Sequence, residues 1–224
     1  DKYVQIISQP SGMNVPPNFF MVQEFVEGEG YGVEALMHKG ELKAIFMHKR
    51  LREYPITGGA STLRISIRNE RLARYAVKLL KEMGWQGVAM VEFKMNEKTE
   101  SVKLIEVNGR FWGSLPLAIN AGVDFPYLLY QLITKGNVAP VKGYRVGIVQ
   151  RWLLPGDLLW LLEVLRRNDA NKVHAIGQFF GSPFHDDIIS IDDFSPTIGT
   201  IATTLRDFVD LVRGKLTIYG ELLN

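Results

Sequence analysis

Apolar residues in this chain recur with two periods, and the switches between them predict the order of elements. Phe20–Val26 has the length and composition of a strand, and the glycine-rich run Glu27–Gly32 that follows marks a loop. Val33–Met37 and Leu42–Lys49 read as a hairpin turned by His38–Glu41, and Tyr54–Ser61 as a second loop. Leu72, Tyr75, Ala76, Leu79, Leu80 and Met83 then recur at helical spacing, with Asn69 placed as N-cap and Gly84 just past the end. Gly87–Met95 and Val102–Val107 form the next strand pair, joined by the polar turn Asn96–Glu100. Asp124 caps a helix over Phe125–Thr134 that Gly136 ends. The class predicted for residues 21–136 is α+β, with an antiparallel sheet and flanking helices.

Residues 1–20 are a weakly patterned lead-in, and 137–224 read as a separate extension, with a boundary near 137–143. Arg145–Leu153 is a strand candidate and Asp157–Arg167 a leucine-rich helix. Residues 171–200 look like loop, and Thr200–Arg213 is amphipathic, with Ile201, Leu205, Phe208, Val209 and Val212 on one stripe.

Composition narrows the class. With 224 residues, 46% hydrophobic and 22% charged, the chain has ordinary globular usage and enough length for a core without staples. It has no cysteine, so disulfides, thiolate metal sites and cysteine nucleophiles are excluded. No apolar run approaches the ~18–20 residues of a membrane helix, and no signal peptide opens the chain, so a cytoplasmic protein without membrane insertion is expected. A net charge of +2 without a basic block argues against nucleic acid as a partner.

Candidate chemistry concentrates on the second strand pair. Period two puts Glu92 on the face of Val88 and Met90, and Glu106, Asn108 and Arg110 on one face of the following strand. If the strands pair, two carboxylates and a carboxamide converge. Such hard oxygen donors suit Mg²⁺ shared with substrate phosphates, and Arg110 beside them could offset negative charge. The competing reading makes Glu92 and Glu106 solvated positions on a one-sided sheet. His185–Asp186–Asp187 and Asp192–Asp193 match no metal motif and read as solvated loop. The glycines at 28–32 lack the following helix of a dinucleotide fingerprint, and the four histidines read as structural or exposed.

The ordered set Gln23–Gly28, Gly87–Phe93, Ile105–Arg110 and Ala121–Asp124 resembles the ATP-grasp superfamily. It is most similar to the carbamoyl-phosphate-synthase-like carboxylate–amine ligases, in which a segment like His48–Glu53 precedes a Gly-Gly-x-Ser loop. The resemblance covers about residues 20–136.

It implies ATP- and Mg²⁺-dependent ligation, with Mn²⁺ as the alternative metal. A small-molecule carboxylate would be joined to an amine through an acyl phosphate. Gln23, Glu24 and Val26 match the hinge strand that holds adenine, Glu27 or Glu29 the ribose contact, and Glu92, Glu106 and Asn108 the metal ligands. Arg110 matches the arginine at the acyl phosphate or substrate carboxylate, and Lys49 and Arg50 are candidates for phosphate or substrate contact. The family places two lysines and a glycine-rich phosphate loop before the hinge, whereas Lys2 is the only lysine before Gln23. The expectation is therefore the C-terminal part of a larger ATP-grasp protein, with its N-terminal portion missing and no turnover by this chain alone. A homodimer, and a non-catalytic nucleotide-binding or assembly module, are kept as alternatives.

Overall fold

The computed structural model describes residues 23–168, 170–181, 185–189 and 193–213. Glu27–Thr200 form one compact unit; the described residues 23–26 and 201–213 belong to another. The elements in chain order are β1 (Glu29–His38), β2 (Glu41–Tyr54), β3 (Ala60–Ser66), α1 (Glu70–Glu82), β4 (Gly87–Asn96), β5 (Ser101–Asn108), α2 (Leu115–Ala121), α3 (Phe125–Lys135), β6 (Val149–Arg151), a π-turn over Leu153–Asp157, α4 (Leu158–Arg166), α5 (Lys172–Gly181) and α6 (Ser195–Val212). The six strands make one sheet in the order β5-β4-β1-β2-β3-β6, and every neighbouring pair is antiparallel.

The central strand explains why helices cover both faces of the sheet. Val33, Ala35, Leu36 and Met37 of β1 are all fully buried, so both faces of the sheet must be covered. On one face α1 inserts Leu72, Ala76 and Leu80 against Tyr31, Val33, Ala35, Val91 and Phe93. Asn69 caps that helix, accepting from the amides of Arg71 and Leu72. On the other face Leu117, Ala118, Ala121, Phe125 and Leu132 of α2 and α3 pack on Leu36, Phe46 and Met90. Asp124 caps α3, and Gly122 and Gly136 end α2 and α3 in the left-handed conformation.

Several expectations are corrected. Gln23–Val26 form no strand, while residues 20–22 of that expected strand lie outside the described residues. The glycine-rich run is largely β1 itself, which begins at Glu29. The predicted loop 54–61 ends in β3, where Thr62, Arg64 and Ser66 point one way and Leu63 and Ile65 the other. Residues 171–200 contain α5 and the start of α6, and Leu115–Ala121 is a helix absent from the sequence reading. Β6 is only three residues long. It nonetheless pairs with β3, and Val141 donates its amide to Lys43, so the chain beyond 137–143 continues to build the same sheet.

The π-turn and α4–α5 are tied to the sheet by charge. Asp157 is fully buried. Its Oδ2 accepts from Arg52 at 2.7 Å and Arg151 at 2.6 Å, and its Oδ1 accepts from Thr62 at 3.0 Å. The two guanidiniums stack on Trp160 and Phe179, at 4.3 and 4.1 Å from the ring centroids. Asp157→Ala removes the buried carboxylate that Arg52, Arg151 and Thr62 share, so it should cost roughly 3–5 kcal/mol in urea-unfolding experiments. A loss below ~1 kcal/mol would show that the tie is dispensable.

Candidate functional site

The helix-free part of the second sheet face forms a cleft of about 770 Å³. Its floor comes from β1, β2, β4 and β5, and its walls from Gly58–Gly59 with the start of β3, the Arg110–Ser114 loop and the Asp187–Ile188 turn. The glycines of β1 make the room. A Cβ at Gly30 would stand 2.8 Å from Arg50 Cδ, and one at Gly32 would stand 2.8 Å from His48 Nδ1. Arg50 and His48 therefore lie across β1 because it carries no side chains at those two positions.

Pairing across β4–β5 sets the acidic end. Glu92 stands opposite Glu106, and Met90 opposite Asn108. Asn108 Nδ2 donates to Glu92 Oε1 at 3.1 Å and to Glu106 Oε1 at 2.8 Å. Arg50 Nη2 makes a short ion pair with Glu92 Oε2, and its Nη1 reaches Glu53 Oε1 at 3.1 Å. Burial pushes the Glu92 carboxyl above its ordinary value, against the pull of Arg50, and nearby Glu106 adds to the rise. Arg110 is exposed on the cleft wall and donates to the Phe111 carbonyl at 3.0 Å.

Glu92 and Glu106, with the Asn108 amide oxygen, are the groups of the cleft that could hold a divalent cation. Among the described residues no cluster of three or more Asp, Glu, His or Cys could hold a metal ion. Two carboxylates and one carboxamide oxygen leave positions for water or phosphate oxygens, as Mg²⁺ requires. Asn108 now turns its NH₂ toward both acids; a half-turn of the amide would present its oxygen.

Other predicted residues lie elsewhere. Lys49 is on the opposite face, because β2 alternates: its Nζ pairs with Glu29 and, at 2.8 Å, with Glu97. Glu97 is held down to about 2, first by its hydrogen bond from Lys49 and then by that from Tyr31. Lys49 and Glu29 thus form a surface ion pair outside the cleft. Gln23 and Glu24 are exposed in irregular chain, Glu27 is exposed just before β1, and Val26 is half-buried.

The structure adds residues that sequence reasoning passed over. Arg64 is fully buried beneath the cleft; it donates to the carbonyls of Ser61 at 2.9 Å and Gly113 at 3.4 Å and pairs closely with Asp187. Burial raises the Asp187 carboxyl above its ordinary value while Arg64 opposes the shift. One guanidinium therefore fastens three walls together. His48 and Glu34 share a 2.6 Å hydrogen bond below the floor, with the Ser114 hydroxyl 3.4 Å from the same carboxylate oxygen. The Thr62-Leu63-Arg64-Ile65-Ser66 alternation was the available signal for Arg64. Asp186 and Asp187 are not solvated loop: Asp186 accepts from the amides of Leu153, Ile188 and Ile189.

An antiparallel sheet with helices on both faces thus carries paired acids, a carboxamide and arginines in one cleft. The sequence pattern of the family described as ATP-grasp in the biosynthetic pathway with Ter operon matches residues 17–152, more than half of the chain. The chain belongs to that ATP-grasp family. No curated protein matches it in sequence. Among solved structures it is similar to biotin carboxylase from Campylobacter jejuni, with a TM-score of 0.47 and 14% identity over 57% of this chain and 30% of that one. It is also similar to L-amino acid ligase from Bacillus licheniformis, with a TM-score of 0.38 and 20% identity over 48% and 30%. Phosphoribosylglycinamide synthetase from Anaerococcus prevotii gives a TM-score of 0.41 and 20% identity over 49% and 30%. The chain thus spans less than a third of the length of these proteins. No helix among the described residues is long and apolar enough to cross a membrane.

Glu92 should titrate above the ordinary carboxyl value of 4.5 in ¹³C NMR, and Arg50→Met should move its midpoint further up. A carboxyl raised in the folded state keeps its proton to higher pH there. Its contribution to stability is complete below 4.5 and is lost as pH rises through the raised value. A midpoint at or below 4.5 in the wild-type protein would contradict this.

Proposed function

We propose that this chain supplies the metal and acyl-phosphate part of an ATP-dependent ligase that joins a small-molecule carboxylate to an amine. The observation that carries the reading is the convergence of Glu92, Glu106 and Asn108 with Arg50 and Arg110 on one cleft. Family membership supports it. A carboxylate attacking the γ-phosphoryl group of ATP brings two anions together, so cationic groups must offset their repulsion. Mg²⁺ held by Glu92, Glu106 and the Asn108 oxygen would supply most of that offset by neutralising phosphate oxygens.

The chain's own residues do the rest. Arg110, exposed and at the rim, takes the substrate carboxylate or the transferred phosphoryl group. Arg50 lies between Glu53 and Glu92 and faces the same space. Arg64 holds the Ser61, Gly113 and Asp187 walls at fixed spacing, which keeps the reactants oriented. No covalent protein nucleophile is required, in keeping with a chain without cysteine. The adenine-binding hinge is assigned to Gln23–Val26 on the family resemblance, through backbone groups, and Glu27 is the remaining ribose candidate. Amine and carboxylate partners, a cytoplasmic setting and self-association belong to this proposal.

In the native protein, Glu106→Gln and Asn108→Ala should each lower carboxylate-dependent ADP release at least ~100-fold, the scale of losing a preorganised electrostatic contact. Lys49→Ala, on the other face, should leave the rate within about twofold, because an exposed pair contributes little. Equal losses in all three variants would mean that the cleft is not the reacting centre.

A further inference from the structure

Arg50 stands where it both blocks the metal donors and can receive phosphate. Its three guanidinium nitrogens are differently engaged. Nη1 is anchored by Glu53 Oε1 at 3.1 Å and the Gly59 carbonyl at 3.5 Å. Nη2 is taken by Glu92 Oε2. Nε is buried and has no hydrogen-bond partner. Nε and Nη2 form the side-on fork of an arginine, whose two parallel N–H groups match two oxygens of a carboxylate or phosphate. Here only one tine of the fork is used.

Arg50 and Asn108 cover three of the four carboxylate oxygens of Glu92 and Glu106. Glu92 Oε2 is covered by Arg50, while Glu92 Oε1 and Glu106 Oε1 are covered by the Asn108 NH₂. A divalent cation entering alone must displace a guanidinium from a carboxylate that is 13% exposed, and leave that guanidinium with an unsatisfied fork. A cation entering with a polyphosphate meets a different balance. It takes Glu92, and the phosphate oxygens it brings take the freed fork, so no buried charge is left unpaired.

We propose that Arg50 is an exchangeable counter-cation. It neutralises Glu92 when the metal is absent, and passes to the phosphate chain when metal and nucleotide bind together. This makes Arg50 a positioning residue for the metal as well as a phosphate ligand. It rests on the reading of Glu92, Glu106 and Asn108 as metal donors. The consequence is that the free protein resists metal alone and takes it as the metal–nucleotide complex.

The test is Mn²⁺ binding by electron paramagnetic resonance on the full-length protein, with Arg50→Met and Arg50→Gln alongside the wild type. With Mn²⁺ alone, either substitution should tighten binding roughly tenfold, about 1.4 kcal/mol. With Mn²⁺ and a non-hydrolysable ATP analogue, the same substitutions should weaken binding by a similar factor. A purely structural role for Arg50 would weaken both. Arg50→Gln keeps a hydrogen-bonding side chain toward Glu53, and thermal melting of each variant establishes that it is folded. Unchanged or weaker binding of Mn²⁺ alone in folded variants overturns the exchange. The underlying metal reading is separated by Glu106→Gln in the Arg50→Met background. If Mn²⁺ binding survives that change, or no Mn²⁺ binds to any variant, the donor assignment falls and the exchange with it.

Discussion

Two carboxylates opposed across antiparallel strands repel each other, and the organisation of the cleft follows from what offsets that repulsion. Glu92 and Glu106 are fixed in this position by backbone pairing, so neither can leave without breaking the β4–β5 register. Asn108 bridges them from within the pair, and Arg50 reaches across from β2. The reach is possible because the strand between them is β1, which has Gly30 and Gly32 where other strands would carry side chains. Glycine weakens a strand by its entropy and lack of packing. Here that cost is accepted where the chain needs open space above the sheet.

The same device recurs on a larger scale. Arg64 and Asp157 are buried charged groups, each with several partners on separate segments. Buried ion pairs contribute little net stability, but breaking one partner is expensive. They therefore suit the task of fixing where loops and turns sit more than how stable the unit is. The apolar packing of α1, α2 and α3 supplies the stability, and the arginine ties supply the position. Lys49 provides the contrast. Its partners Glu29 and Glu97 are largely exposed, and it fixes no wall of the cleft.

Strongly periodic segments were legible from sequence. The α1 helix with its Asn69 cap, the β1–β2 and β4–β5 hairpins, and α3 with Asp124 and Gly136 all had local signals that agree with their tertiary surroundings. The convergence of Glu92, Glu106 and Asn108 was legible too, because period two and a short turn fix who faces whom. Three kinds of information were hidden. Glycines at 28–32 signal a loop locally, and only the side chains crossing from β2 show why a strand contains them. Lys49 and Arg50 are adjacent cations, and strand alternation sends them to opposite faces once β2 is known to run through them. Glu53 joins Arg50 in the cleft despite its odd spacing because the register slips at Arg50–Glu53.

The part of the chain beyond residue 137 is where local reading failed most, and the reason is physical. Β6 is short, α5 contains two glycines, and the turn at Asp186–Ile188 has no periodicity. Their partners lie mostly far along the chain. Asp157 pairs with Arg52 of β2 as well as with Arg151 of β6, Gln150 donates to the Asp186 carbonyl at 2.8 Å, and Asp187 closes on Arg64. A sequence window sees only polar residues in a loop, whereas the fold sees one half of each pair. The cleft wall formed by Asp187 and Ile188 therefore depends on residues more than a hundred positions away in β3. That dependence makes the C-terminal segment a structural part of the same site as Glu92 and Arg50, even though no motif within it announces the connection.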